Sequence, residues 1–263
     1  MKIKGFLAAV VLFAACFAVN VFASGITTSA ESKDLRWAAE KFAENSFEPD
    51  VIYPISHVAV AYIGDVGECE FLFHGFYGRE TPDEKYAYTY NYNMIYSVEI
   101  SSVDGSFHQV LDGFTTLFEP YMPDYGIVFS DFNNDGNLDL QLHLYSGGTM
   151  RNEPSLFWLW NSSEQLYVKN AELEEISGYA MVAMTETGDL GEKQLYSYTR
   201  ISAVEYVTVY YAYYEGELIA YEMEEVAFEE TDGETYMTSI ISRLVDGEMK
   251  VVEENREKYE QDN

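Results

Sequence analysis

Residues 86–100 read Tyr86-Ala87-Tyr88-Thr89-Tyr90-Asn91-Tyr92-Asn93-Met94-Ile95-Tyr96-Ser97-Val98-Glu99-Ile100. The even positions of this run are all tyrosine, methionine, valine or isoleucine, whereas most of the odd positions are small or polar. Because side chains of a β-strand alternate between its two faces, a period of two over this length predicts a strand with one buried face. A row of tyrosines can also form a platform on which sugar rings stack, and this interpretation is the alternative.

Short apolar runs separated by turn residues occur along most of the chain. Hairpin turns are predicted at residues 64–67, Asp104-Gly105, Glu215-Gly216 and Asp246-Gly247. The runs that flank the first and the last two of these turns are residues 58–63 and 69–73, 206–214 and 218–223, and 240–244 and 249–252. This pattern predicts an all-β fold: an antiparallel sandwich, a barrel or a small propeller-like domain. The sequence has no clear internal repeat that would distinguish a sandwich from a barrel or a propeller.

The region before these strands has a different pattern. Residues 24–31 are expected to be a disordered lead-in, and Ser32 is the predicted N-cap of a short helix that ends before Pro49. The apolar positions at helical spacing are Leu35, Ala38, Ala39, Phe42 and Ala43. After Pro49 the sequence predicts strands only. Residues 51–263 are expected to form a single β domain, because no Pro/Gly/Ser-rich linker divides them.

Composition and charge limit the classes of partner. With 263 residues, 48% hydrophobic and 16% aromatic, the chain can bury a full core without disulfides. The formal charge is -30, from 45 acidic and 15 basic residues, and it excludes nucleic acid and anionic membrane surfaces as natural partners. Cations and basic protein surfaces are the partners that such a field attracts. A plain solvated acidic surface, on a soluble monomer, is the simpler interpretation.

The first residues have the pattern of a secretory signal peptide. Lys2 and Lys4 precede an apolar run over residues 5–19, and Val21-Phe22-Ala23 supplies a small residue at the expected cleavage point. We therefore predict a signal peptide over residues 1–23 and a secreted or periplasmic protein. An uncleaved anchor over residues 7–22 and lipid attachment at Cys16 are the alternatives. Without Cys16, Cys69 is the only cysteine, so no intramolecular disulfide can form, and a bound metal is another means of securing the fold.

Residues 131–139 carry the one motif with a defined chemistry. They read Asp131-Phe132-Asn133-Asn134-Asp135-Gly136-Asn137-Leu138-Asp139. Oxygen-bearing side chains occupy positions 1, 3, 5 and 9, and glycine at position 6 permits a sharp turn. Calcium takes six to eight oxygens within a small sphere, which a tight loop of this spacing can supply. The predicted calcium ligands are Asp131, Asn133, Asp135, Asn137 through its backbone carbonyl, and Asp139. The alternative is a set of turn formers at a strand junction.

The calcium motif is not an EF-hand. Position 12, where an EF-hand has glutamate, is Leu142, and the alternating leucines 138, 140, 142 and 144 predict that the loop leads into a β-strand. The remaining ligands must come from elsewhere in the chain or from water. The segment over residues 129–140 resembles the calcium loops of the FG-GAP and VCBS repeat families of adhesins and surface β-propellers. Those families repeat the loop, whereas here it occurs once, which disfavours a many-bladed propeller.

A second resemblance covers residues 86–252. The segments that carry it are Tyr96-Ser97-Val98-Glu99-Ile100, Asp104-Gly105, Gln109-Val110-Leu111, the aspartate loop, Gly147-Gly148, Phe157-Trp158-Leu159-Trp160-Asn161, Leu166-Tyr167-Val168, Tyr213-Tyr214-Glu215-Gly216-Glu217-Leu218 and Leu244-Val245-Asp246-Gly247-Glu248-Met249-Lys250-Val251-Val252. In this order they resemble a family of bacterial periplasmic calcium-binding β proteins that includes lysozyme inhibitors acting as immunity proteins. The resemblance implies an exported Ca²⁺-binding protein that acts by binding a cell-wall hydrolase. No inhibitory motif of the family is carried over.

Other candidate sites have weaker patterns. The four histidines, at 57, 74, 108 and 143, show neither HExxH nor close pairing, so no zinc site is predicted. Glu68 and Glu70 would raise the pKa of the Cys69 thiol, which favours a packed residue over a nucleophile. Trp158 and Trp160 share a strand face with Leu156 and are expected in the core.

The sequence therefore favours a monomeric, non-enzymatic binding protein with a basic protein partner such as a cell-wall hydrolase. The first alternative is a carbohydrate-binding or adhesion module that recognises cell-envelope glycan. A calcium-dependent hydrolase is third, because carboxylates are abundant but no two stand in a recognisable catalytic context.

Overall fold

The computed structural model describes residues 27–28, 51–79, 94–117, 126–144, 154–185 and 193–259, and these residues are mostly β-strand. The strands are β1 Thr27–Thr28, β2 Val51–Ile63, β3 Gly67–Arg79, β4 Met94–Ser102, β5 His108–Leu111, β6 Thr116–Leu117, β7 Ile127–Ser130, β8 Asp139–His143, β9 Ser155–Asn161, β10 Leu166–Lys169, β11 Met181–Met184, β12 Leu195–Arg200, β13 Glu205–Tyr214, β14 Glu217–Thr231, β15 Glu234–Val245 and β16 Glu248–Lys258. One helix is described, α1 at Ala171–Ser177.

The all-β, sandwich-like prediction is confirmed. The described strands form three sheets, ordered β1-β2-β3-β4-β5 with β6 on β4, β10-β9-β8-β7, and β11 through β16 in chain order. Their pairing is antiparallel apart from the short parallel contact of β1 with β2, and none of the three sheets closes on itself within the described ranges. The predicted signal peptide, lead-in and N-terminal helix lie outside the described residues, except for Thr27 and Thr28.

The predicted hairpin turns are confirmed. Glu215 and Gly216 have φ angles of 52° and 86°, and Asp246 and Gly247 have 55° and 81°. Two successive residues with positive φ give a turn whose twist matches that of the flanking strands. A further turn of this kind, at Asp232 and Gly233, joins β14 to β15, so the third sheet is longer than the sequence runs indicated.

Strand β4 confirms the predicted alternation in part. Its described part begins at Met94, and residues 86–93 lie outside the described residues. Val98 and Ile100 are fully buried, whereas Tyr96 and Met94 are half-buried and Ile95, at an odd position, is buried. The side chains at even positions are therefore buried only at the end of the strand. Whether the tyrosines between 86 and 92 form a sugar-binding platform stays a prediction.

The chain divides into two compact units, each of them discontinuous in sequence. The described residues of the first are 27–28, 51–59, 70–79, 94–100 and 110–117, and those of the second are 60–69, 101–109, 126–144, 154–185 and 193–259. Ile55, Phe71, Phe73, Ile95 and Ile100 are among the fully buried side chains of the first unit. The prediction of one domain over residues 51–263 stays a prediction.

The core of the second unit lies between the second and third sheets. Phe132 and Phe157 meet edge to face, with ring centroids 5.3 Å apart, and Leu173, Val182 and Leu195 complete the buried cluster. Edge-to-face aromatic pairs contribute about 1 kcal/mol beyond their area. Phe132 belongs to the aspartate loop, so the loop is attached to this core.

Helix α1 contradicts the prediction that only strands follow Pro49. Asn170 is its N-cap and accepts a hydrogen bond from the backbone N–H of Leu173 at 2.9 Å. Leu173 is buried, and the partly buried Ile176, three residues later, packs against the same core cluster. At seven residues the helix is too short for a periodic signal, and the strand-forming residues on both sides hide it.

Strand β16 is the exposed edge of the third sheet. All of its residues, Glu248–Lys258, are exposed, and a register irregularity lies between Ile241 and Ser242 of its neighbour β15. The irregularity leaves Val252 without an opposite residue in the β15 register.

Candidate metal centre

The aspartate loop joins two antiparallel strands. Ser130 at the end of β7 lies opposite Asp139 at the start of β8, so residues 131–138 form the connection of a hairpin. Asn134 and Gly136 have φ angles of 56° and 89°, and glycine adopts this left-handed conformation without a steric penalty. The prediction that the loop leads into a strand is confirmed, and Leu140 and Leu142 of that strand are fully buried.

Asp131 and Asn133 direct their side-chain oxygens at the backbone of the loop. The two carboxylate oxygens of Asp131 accept hydrogen bonds from the N–H groups of Asp135 and Gly136, at 3.0 and 2.9 Å. Asn133 Oδ1 accepts from the same Asp135 N–H at 3.1 Å. Each of these oxygens keeps a second lone pair, so the bonds position the oxygens without using their capacity to bind a cation.

Asp135 holds the second half of the loop. Its Oδ1 accepts from the backbone N–H of Asn137 at 2.8 Å and from Asn137 Nδ2 at 3.1 Å. Its Oδ2 accepts from Asn133 Nδ2 at 3.0 Å. Positions 1, 3 and 5 of the motif are therefore joined by hydrogen bonds on the exposed side of the loop.

The side chain of Asn137 also reaches a residue outside the loop. It is buried, and its Nδ2 donates to Ser162 Oγ at 3.1 Å. Its Oδ1 lies 2.7 Å from the place that a Cβ on Gly64 would occupy. A side-chain oxygen placed there does not belong to the exposed group of Asp131, Asn133 and Asp135. The ligand role of Asn137 through its backbone carbonyl stays a prediction.

Asp139 is the buried member of the motif. Its Oδ2 accepts from the backbone N–H of Phe132 and its Oδ1 from that of Trp160, both at 2.8 Å, and the side chain has no exposure to solvent. Burial raises the pKa of the Asp139 carboxyl to about 7, against the lowering effect of the two N–H donors. The nearby carboxylates of Asp135 and Asp131 raise it further. Asp139 thus ties the start of the loop to β9, a role that the motif alone did not reveal.

A tyrosine outside the motif holds the end of the loop. The hydroxyl of Tyr167 donates to the backbone carbonyl of Leu138 at 2.8 Å. Gln109 fixes the backbone of Tyr167 through two hydrogen bonds, from its Nε2 to the Tyr167 carbonyl at 2.9 Å and from the Tyr167 N–H to its Oε1 at 2.8 Å. Burial, followed by the charge of Asp139, raises the pKa of the Tyr167 hydroxyl. Sequence spacing carries no signal for this contact, because the partners are far apart in the chain.

The structure brings Asp131, Asn133 and Asp135 together, and the buried Asp139 is close enough to feel the charges of Asp131 and Asp135. Among the described residues, no group of three or more His, Cys, Asp or Glu side chains is arranged to hold a metal ion. The loop carboxylates are hydrogen-bonded to backbone N–H groups in this arrangement. A calcium ion would take its ligands from the lone pairs that these bonds leave, together with backbone carbonyls and water. The calcium site stays a prediction.

The histidines and Cys69 lie at separate places. His57 is buried beside Phe73, His74 is 3.9 Å from a carboxylate oxygen of Glu99, and His108 is bonded to Ser101. Cys69 is buried, and its thiol pKa is raised by burial and then by Asp104. The sequence predicted that Glu68 and Glu70 would raise this pKa, whereas burial and Asp104 raise it in the structure. The prediction that Cys69 is a packed residue agrees with its burial. Trp158 and Trp160 lie in the core as predicted.

An open cleft of about 660 Å³ in the second unit is lined by acidic groups. Its charged and titratable lining residues are Asp65, Asp104, His108 and Glu164. Asp104 accepts hydrogen bonds from Ser106 Oγ at 2.7 Å and from Ser102 Oγ at 2.8 Å, and the hydrogen bonds lower its pKa to about 2. A carboxyl held ionised in this way caps the turn between β4 and β5, and it is unsuited to the general-acid role that a glycosidase needs.

The chain was compared with known proteins. No family model and no curated protein matches it. Among solved structures, a protein described as a Xanthomonas type IV secretion system related protein has a similar fold, with a TM-score of 0.50 and 19% sequence identity. The similarity covers 75% of this chain and 98% of the Xanthomonas chain. At this identity it shows the fold alone. Within the described ranges, no helix has the length and apolar character needed to cross a membrane.

Proposed function

We propose that this chain is an exported calcium-binding β protein that acts by binding a basic protein, of the kind that inhibits a lysozyme-type cell-wall hydrolase. The observation that carries the proposal is the aspartate loop. The oxygen-bearing side chains of Asp131, Asn133 and Asp135, which are partly or fully exposed, are linked by hydrogen bonds within the loop, close to the buried carboxylate of Asp139.

The charges of the loop support calcium. Asp131, Asp135 and Asp139 are close enough to raise the pKa of the buried member, so they repel one another when ionised. A divalent cation would offset that repulsion. Exported proteins meet millimolar calcium, and a site of the extracellular kind, with a dissociation constant of roughly 10⁻⁴ M, would stay mostly filled. We therefore expect calcium to be a structural component of the protein.

The overall charge supports a basic partner. A protein of formal charge -30 repels anionic polymers and attracts cationic surfaces over several ångströms. The fold is shared with a protein described as related to a type IV secretion system, and this is compatible with a place in a bacterial envelope. The resemblance of residues 86–252 to periplasmic lysozyme inhibitors makes a muramidase the first target to test.

The test is inhibition of a basic lysozyme-type muramidase. We expect the mature protein to lower the rate of cell-wall hydrolysis at near-equimolar concentration, and to do so less well after calcium is removed with a chelator. Asp135→Ala is the matched variant, which should inhibit equally in both conditions and less than the wild type. An unchanged hydrolysis rate with the wild type in several-fold excess would reject the hydrolase proposal.

The alternative is a glycan-binding module of the envelope. The partly exposed tyrosines of β12 and β13 favour it, because sugar rings stack on aromatic faces. Retention on insoluble peptidoglycan or another polysaccharide, nearly independent of salt concentration, would support this alternative against a basic protein partner.

A further inference from the structure

We propose that one face of the third sheet is the surface on which the basic partner docks, through arginine or lysine side chains stacked on tyrosine rings. This tyrosine face consists of Tyr196, Tyr198, Tyr206, Tyr210 and Tyr221, together with the carboxylates of Glu222 and Glu224. Arg200 and Arg243 lie on the same face, where Arg200 donates to the backbone carbonyls of Ser202 and Ala203 and Arg243 pairs with Glu222. The inference rests on the proposed function, because it assigns the surface that meets the proposed partner.

The strand register places four of these tyrosines on the same side of the sheet, and Tyr221, at the bulge of β14, joins them through its ring contact with Tyr210. Tyr196 lies opposite Tyr210, and Tyr206 lies opposite Arg200. Arg200 is two residues after Tyr198 in β12, so Tyr198 and Tyr206 lie on the same face. The intervening residues Leu195 and Ser197 are buried on the other side, where Leu195 belongs to the core cluster. Because side chains alternate along a strand, the tyrosines face away from that core.

The rings form two neighbouring groups on this face, one of Tyr198 and Tyr206 and one of Tyr196, Tyr210 and Tyr221. Ring centroids are 5.7 Å apart for Tyr198 and Tyr206, 6.3 Å for Tyr196 and Tyr210, and 6.4 Å for Tyr210 and Tyr221. The ring planes in these pairs are tilted by 36° to 42°, and all five side chains are partly exposed. Tilted, partly exposed rings present faces and edges to a partner, as the tyrosines of binding surfaces do.

Two carboxylates stand among these rings. Glu222 lies opposite Tyr210, and Glu224 lies opposite Thr208. Val207 and Val209, the neighbours of Thr208 in β13, lie on the other face of the sheet. After burial, the charge of Glu224 is the next cause of the raised pKa values of Tyr206 and Tyr210, so the carboxylate is near both rings. Glu222 is already paired with Arg243, at 2.6 Å. No lysine or arginine among the described residues forms an ion pair with Glu224, which leaves it available to a partner.

This combination is selective for a cation. A guanidinium or ammonium group over a tyrosine ring gains about 0.5–1 kcal/mol at an exposed site, and a carboxylate beside the ring adds a charge-assisted hydrogen bond. The chain itself contains both arrangements, since Arg256 lies 4.8 Å from the ring centroid of Tyr236 and Arg243 pairs with Glu222. A neutral glycan would gain the stacking and hydroxyl hydrogen bonds to Glu224, but nothing from the acidic field.

The test uses a short oligo-arginine peptide and a basic muramidase as probes, with the full mature protein in calcium. The double variant Tyr206→Leu/Tyr210→Leu keeps apolar volume but removes the aromatic faces, and Tyr206→Phe/Tyr210→Phe keeps the faces. We expect about tenfold weaker peptide binding for the leucine variant and less than a twofold change for the phenylalanine variant. Equal binding by the leucine variant and the wild type would overturn the inference.

A second pair of variants keeps the test decisive if the leucine variant does not fold. Glu224→Gln removes the carboxylate of the tyrosine face, and Glu225→Gln removes the adjacent charge on the opposite face of the same strand. Both lower the net negative charge equally. We expect weaker peptide binding for Glu224→Gln only. Equal weakening by both would show a diffuse charge effect and would reject the tyrosine face as the docking surface.

The muramidase separates this inference from the proposed function. If the wild type inhibits the enzyme and the leucine variant inhibits equally well, the proposed function stands and the docking surface is wrong. If peptide binding depends on the tyrosines but no muramidase is inhibited, the surface stands and the hydrolase target is wrong. Loss of soluble chito-oligosaccharide binding in the leucine variant, with peptide binding unchanged, would assign the face to a glycan.

Discussion

At the scale of the residue, Asp139 combines two roles that the motif does not separate. Its carboxylate is a predicted calcium ligand, and it also accepts the backbone N–H groups of Phe132 and Trp160 in a fully buried place. The second role is independent of any ion. Asp135 is exposed, and its bonds stay within the loop. Substitution of Asp139 should therefore affect the stability of the fold even without calcium, whereas substitution of Asp135 should affect mainly the binding of calcium.

We expect Asp139→Ala to destabilise the protein by about 3 kcal/mol even in the presence of a chelator, because two buried N–H groups lose their acceptor. Asp135→Ala should change stability under the same conditions by less than about 1 kcal/mol. Urea denaturation of both variants in chelator measures the difference. Similar losses for the two variants would contradict a structural role that is specific to Asp139.

Calcium should stabilise the wild type through the exposed oxygens. The gain follows mass action and is about 2.7 kcal/mol when free calcium is 100 times the dissociation constant. Asp135→Ala removes a central ligand and should lose most of the shift. Thermal melts with calcium and with chelator provide the measurement. A wild type that melts at the same temperature in both, or a variant that keeps the full shift, would show that the loop is only a turn.

At the scale of the element, the hairpin turns hold the strands in register, and each turn has its own chemistry. The turn between β4 and β5 depends on Asp104, which accepts from the Ser106 backbone N–H at 2.9 Å as well as from two hydroxyl groups. Hydrogen bonds that favour the charged form lower the pKa of Asp104 to about 2. Because the pKa is lower in the folded state, the stabilisation is present above the unfolded-state pKa of about 4 and is lost as the pH falls towards 2.

The free energy of unfolding should therefore differ more between the wild type and Asp104→Ala at pH 6 than at pH 3. Urea denaturation at both pH values measures this difference, and Asp65→Ala serves as the control on an exposed turn aspartate of the same unit. A difference between wild type and Asp104→Ala that does not change between the two pH values would mean that the ionised carboxylate contributes nothing to the turn.

The strands and turns were predictable from the sequence, and helix α1 was not. Alternation and Asp-Gly or Glu-Gly turns are local signals. They located β13 within one residue and the turn-side ends of β15 and β16, both of which extend well beyond the predicted runs. The motif also located the aspartate loop. The contacts that complete this site, from Asp139 to Trp160 and from Tyr167 to Leu138, join residues 21 and 29 positions apart. Such contacts depend on which strands become neighbours, which a single sequence does not encode in its spacing.

At the scale of the whole molecule, the charge of -30 has consequences for association. Contacts between exposed opposite charges are screened beyond about 8 Å at physiological ionic strength. Binding to a basic hydrolase should therefore weaken steadily as salt rises, mainly through a slower association rate. Titration calorimetry or surface binding between low and physiological salt measures this. An affinity that does not change over this range would contradict an electrostatic mode of association.

The exposed edge strand β16 has a consequence for the behaviour of the protein at high concentration. The outer edge of such a strand has backbone N–H and C=O groups without strand partners. The edge strand of another copy can pair with them, and ordered aggregates begin in this way. Here the edge carries Lys250, Arg256 and Lys258 among its glutamates, and the irregular register at Val252 interrupts a straight pairing surface. Charge and irregularity are both known to blunt such edges. Strand β16 is therefore an exposed edge whose charges and irregular register disfavour pairing with the edge of another copy.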